Sequence, residues 1–68
     1  MSELTSIEDR LTTCAEALAE AAVDLLREAM RADDDGVRAE LMAREKRVTR
    51  ARRAVEKAIG LLHGAVDE

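Results

Sequence analysis

Few side chains in this sequence are suited to chemistry, and their spacing limits what each one does. The single cysteine, Cys14, and the single histidine, His63, stand far apart. A zinc or di-iron site on helices needs ligands recurring at helical spacing, such as Glu-x-x-His, and none occurs. Cys14 lies on an apolar path and reads as buried filler rather than a nucleophile. The run Asp33-Asp34-Asp35-Gly36 has the composition of a calcium loop. Placing Gly36 at the loop's sixth position puts Arg31 first and Met42 last, where calcium needs carboxylates. Glu8 and Asp9 read as solvent-facing charges. No catalytic residue, metal or cofactor is expected, and the chain reads as non-enzymatic.

One cluster has the density of a binding surface. Arg44, Lys46, Arg47, Arg50, Arg52 and Arg53 fall within ten residues, opposed only by Glu45. On a helix, Lys46, Arg50, Arg53 and Lys57 share one line, and no acid interrupts it. Such a stripe suits an acidic protein segment or a phosphate backbone; its plainer use is to keep a helix face wet. The sequence has no Phe, Trp or Tyr, so it lacks stacking platforms for bases. Its net charge of −4 opposes general attraction to nucleic acid. An acidic protein segment is therefore the expected partner, and a nucleic-acid-binding regulator is the alternative.

The elements that carry this stripe follow from composition. Sixty-eight residues allow one domain. Ala, Leu, Glu and Arg dominate and proline is absent, which favours helix throughout. Ala32 and the acidic run up to Gly36 form the one break. The expectation is helix 1 over about 6–31, an acidic turn over 32–36, helix 2 over about 36–63 and a short tail over 64–68. Thr5 with Glu8 matches a capping box for helix 1. Asp34 or Asp35 caps helix 2, and Gly64 suits its end.

Each helix carries an apolar path spaced alternately by three and four. In helix 1 the path is Leu4, Ile7, Leu11, Cys14, Leu18, Ala21, Leu25; in helix 2 it is Val37, Leu41, Arg44, Val48, Ala51, Val55, Ala58, Leu62, Ala65. Ala15, Ala22 and Ala29 run beside the first path. A short loop between long helices makes them antiparallel. Glu28 and Arg44 interrupt the two paths at one level, which predicts a seam ion pair. Met30 and Met42 read as plugs near the loop.

So thin a core calls for a second chain. Val23, Leu26 and Met30 on helix 1, with Ile59 and Leu61 on helix 2, form apolar surplus at opposite ends of the hairpin. They are the expected self-association residues. The predicted fold is an all-α, two-helix antiparallel hairpin, dimerising into an antiparallel four-helix bundle with the loop of one copy over the termini of the other. In length and hairpin plan the chain resembles the Rop-type RNA-binding regulators of plasmid copy number. The likeness is of architecture without a shared motif, and fold alone does not assign function. One unpaired cysteine, an acidic N-terminus and no long apolar run predict a cytoplasmic protein with no membrane partner.

Overall fold

The computed structural model describes residues 2–66. It contains two helices, α1 (Glu3–Arg31) and α2 (Asp35–Val66), packed against each other, and no strand among the described residues. The hairpin measures 52 × 15 × 11 Å. Its thin dimension is the diameter of one helix, so the fold is a single layer.

α1 begins earlier than the capping-box reading places it. Ser2 is the N-cap, and its Oγ accepts a hydrogen bond from the Thr5 N–H at 3.1 Å. Thr5 thus lies inside the first turn, its hydroxyl 2.9 Å from that of Ser2. Ser2 supplies the same oxygen one turn upstream, and Leu4 and Thr5 join the helix as a result. α1 ends at Ala32, whose backbone is extended (φ −71°, ψ 130°).

Asp34 starts α2 as expected: its Oδ1 accepts from the Val37 N–H at 3.0 Å. Gly36 leaves room for that approach. A Cβ at this position would stand 3.0 Å from the capping oxygen. At the far end α2 does not stop at His63. It runs through Gly64 to Val66, and no glycine has a positive φ. Val66 extends the half-buried line of Ile59 and Leu62; that packing carries the helix past a residue that would otherwise end it. Of the predicted tail, residues 67–68 lie outside the described residues.

Arg38 ties the two helices together at the loop. Its Nη2 donates to the Ala32 carbonyl at 2.6 Å and its Nε to the Ala29 carbonyl at 3.3 Å. Its Nη1 pairs with Asp35 at 3.0 Å. A guanidinium from α2 thus donates to the Ala32 carbonyl beyond the end of α1 and shares the Ala29 carbonyl with the Ala32 N–H, which lies 3.3 Å from it. At the opposite end His63 Nδ1 lies 3.3 Å from Glu8 Oε2. These two contacts set an antiparallel register. Interpolating between them puts Ala15 level with Val55, Ala22 with Val48 and Ala29 with Leu41.

Among the described residues only Ala15, Ala22 and Ala29 are buried. They repeat every seventh residue, and small side chains there let the α2 backbone come close. The larger residues Leu11, Leu18, Leu25, Leu41, Val48, Val55, Ile59, Leu62 and Val66 are half-buried, each covered from one side. A leucine in that state contributes about 1 kcal/mol, against about 2 kcal/mol when enclosed.

The leucines of α1 and the Leu41/Val48/Val55/Leu62 line of α2 take the seam positions read from the sequence. The alternate positions differ. α1 turns Ala15, Ala22 and Ala29 fully inward with Glu8 in line, while Ile7 and Ala21 are half-buried and Cys14 is exposed. α2 uses Glu45, Arg52, Ile59 and Val66, all half-buried, while Arg44, Ala51 and Ala65 are exposed and only Ala58 of that line is half-buried. Cys14 is accordingly exposed, not core filler. The expected Glu28–Arg44 seam pair does not form. Both residues face solvent, and Arg44 pairs with Glu40 on its own helix at 2.9 Å. Met30 (84% exposed) and Met42 (37%) are not plugs.

Candidate functional site

The seam gives each flank of the hairpin a distinct character. One flank carries Glu8, Thr12, Glu16, Thr49, Arg52, Glu56 and His63. A groove there is lined by Thr12, Ala15, Glu16 and Ala19 of α1 with Arg52, Glu56 and Ile59 of α2. The other flank carries Ile7, Cys14 and Ala21 of α1 beside Ala51, Ala58 and Ala65 of α2.

Lys46, Arg50, Arg53 and Lys57 lie on the back of α2, turned away from α1, and all four are exposed. The line spans about 16 Å at 1.5 Å per residue. Three of the other cations are paired within their own helix, while Arg10, Arg31, Arg47 and Arg52, like the stripe, make no salt bridge among the described residues. Arg27 lies 3.9 Å from Asp24, Arg38 3.0 Å from Asp35 and Arg44 2.9 Å from Glu40. No salt bridge involves any of the four stripe residues among the described residues. Two acids adjoin the stripe in sequence, Glu45 and Glu56; Glu45 is held by the Thr49 hydroxyl, which donates to its Oε2 at 2.6 Å. Glu45, Lys46, Thr49, Arg50 and Arg53 line an open depression on this face. The stripe is therefore a line of exposed cations without a salt-bridge partner among the described residues.

The sequence reading missed the Glu8–His63 contact by treating Glu8 as a solvent-facing charge. The Glu8 carboxylate is mostly covered (20% exposed), and its Oε2 is buried at ion-pair distance from the ring but without a directed hydrogen bond. The signal was available: an antiparallel register counted outward from the loop brings Glu8 to the level of His63. Cys14 lies on the opposite flank from His63, so the two do not form a nucleophile–base pair. No group of three or more His, Cys, Asp or Glu residues is placed to hold a metal among the described residues.

The five residues expected at a self-association surface do not share a face. Leu26 and Ile59 are half-buried in the hairpin. Val23 (45% exposed) opens onto a shallow groove with Ala19, Glu20, Asp24 and Arg27, all on α1. Val23 and Met30 fall toward the polar flank, whereas Leu61 (70% exposed) falls toward the flank of Cys14 and Ala58. The heptad phase set by the buried alanines separates them.

No helix among the described residues is long and apolar enough to cross a membrane. No protein-family model, curated protein or solved structure matches the chain, so the likeness to Rop-type regulators stays one of plan.

Proposed function

We propose that this chain is a non-enzymatic, self-associating helical module that presents the Lys46–Arg50–Arg53–Lys57 face to an acidic segment of a partner protein. The observation that carries the reading is the alignment of four exposed cations on one face of α2, none of them in a salt bridge among the described residues. Arg27, Arg38 and Arg44 each pair with an acid of their own helix, whereas Glu45 and Glu56, adjacent to the stripe in sequence, pair with none of its four residues. An unpaired line of charge on a rigid helix gives electrostatic complementarity without ordering a loop. Acidic protein is favoured over nucleic acid because no aromatic residue is present to stack on a base.

The test is a titration of the full chain with an oligoglutamate peptide and, separately, with a mixed-sequence RNA duplex. The double variant R50E/R53E is run beside the native chain. Oligoglutamate binding that falls by about tenfold or more in the variant, with helicity unchanged, supports the proposal. RNA binding that is tighter and steeply lost with salt favours the alternative. A variant that unfolds makes the stripe structural and refutes both.

A further inference from the structure

The flank opposite the polar one is the surface that the hairpin leaves unfinished. It carries Ile7, Cys14 and Ala21 beside Ala51, Ala58 and Ala65, and the half-buried leucines and valines of the seam border it on both helices. From Leu4 to Leu25 on α1, and from Val48 to Ala65 on α2, no charged residue interrupts this path. The area argues for a large occupant. A compact monomer of 7.5 kDa exposes about 4,200 Å², whereas this chain exposes 5218 Å². The surplus of about 1,000 Å² exceeds the roughly 800 Å² per partner that a standard stable interface removes.

We infer that this flank is covered by the same flank of a second copy, with the two loops at the same end of the resulting four-helix bundle. The inference rests on the self-association proposed above and specifies its surface and direction. Charge sets the direction. At the loop end the two uncharged lines run on into Glu28 of α1 and Arg44 of α2, both exposed. With the loops together, α1 of each copy packs antiparallel on α2 of the other. Glu28 then stands level with the partner's Arg44, and Arg44 with the partner's Glu28. Ile7, Cys14 and Ala21 fall against the partner's Ala65, the partner's Ala58 and the partner's Ala51, which leaves room for close approach. This replaces the loop-over-termini arrangement expected from the sequence: with the loops at opposite ends, Glu28 and Arg44 would be pressed against the apolar lines near the partner's termini, where each charge would lose water without gaining a partner.

The test uses four single variants of the full chain and sedimentation across a dilution series. The native chain is expected to be a dimer; a folded monomer overturns this inference together with the proposed self-association. Ala51→Glu places a charge on the flank at a site exposed in the hairpin, and is expected to shift the chain to monomer. Met30→Glu, on the other side, is expected to leave the dimer intact. A dimer that survives Ala51→Glu and is lost with Met30→Glu overturns the surface while self-association stands. Glu28→Arg and Arg44→Glu each oppose like charges across the dimer twice, and each alone is expected to dimerise about tenfold more weakly. Mixed together, the two variants restore opposite charges at both contacts and are expected to form a heterodimer of native affinity. A mixture that stays as weak as its components overturns the shared-end arrangement.

Discussion

Arg38 is the residue through which the loop can be tested most directly. It makes three polar contacts: two to carbonyls at the end of α1 and one to Asp35. Replacement by methionine keeps the aliphatic stem and removes all three. The Asp35 contact contributes little, because that carboxylate is 97% exposed. The two carbonyl bonds are worth about 0.5–1.5 kcal/mol each, taken toward the lower end because the Arg38 side chain is itself 47% exposed. Loss of the cation beside the negative end of the α1 dipole adds about 0.5 kcal/mol. The expected cost of Arg38→Met is therefore about 2 kcal/mol. For a chain this short that lowers the melting temperature by roughly 10 °C. Arg38→Lys should recover about half, because an ammonium on a flexible stem cannot serve both carbonyls in one fork. The assay is urea denaturation followed by helicity, at several protein concentrations so that any association is separated from hairpin stability. If Arg38→Met unfolds at the native midpoint, the fork does not hold the loop. If Arg38→Lys is fully native in stability, two-carbonyl geometry is not the reason.

Two further substitutions probe the helices. Gly60 lies inside α2 with nothing within 4 Å of a Cβ built there. Gly60→Ala should stabilise by about 1 kcal/mol in the same denaturation assay, and a loss would mean that something packs closely over this position. Ala22 sits in the seam at 8% exposure. Ala22→Leu should cost about 1–3 kcal/mol by forcing the helices apart, and a neutral result would show that the alanine positions do not set the close approach.

The hairpin, its break and the Asp34 cap were legible because each rests on local chemistry. Helix formers without proline, three acids before a glycine, and leucines every seventh residue act within a few residues of themselves. Phase was not legible. The leucines of α1 have an apolar neighbour line on either side, Ile7/Cys14/Ala21 or Ala15/Ala22/Ala29. Apolar bulk favours the first, with its isoleucine. The structure uses the second, because the smallest side chains admit the opposing backbone most closely and cost the least rotamer freedom. The same choice sends Cys14 outward and brings Glu45 and Arg52 to the hairpin's inner edge. The size of the apolar side chains along a path does not reveal such a trade; the closeness of the facing backbone does. The Glu28–Arg44 expectation failed for the same reason: it was placed on a path that the hairpin turns sideways.

That sideways path is informative about what the fold is for. A two-helix hairpin alone is best served by its most apolar line against its partner helix and its polar residues outside. Here two charged residues, Glu45 and Arg52, occupy inner positions, and Arg52 Nε is enclosed without a hydrogen-bond partner. Meanwhile an uncharged path remains open along one flank. For an isolated hairpin this arrangement sacrifices stability on both counts. A four-helix bundle removes the second of these costs. Each helix there has two neighbours about a quarter-turn apart, so its leucines point toward the bundle centre, between the line that meets one neighbour and the line that meets the other. The buried alanines then serve the hairpin contact, and Ile7, Cys14 and Ala21 serve the second. The basic stripe stays outside in either case, once per copy. A dimer with its loops together carries both stripes running in the same direction, so one acidic partner that engages both must present two parallel segments or two copies of itself.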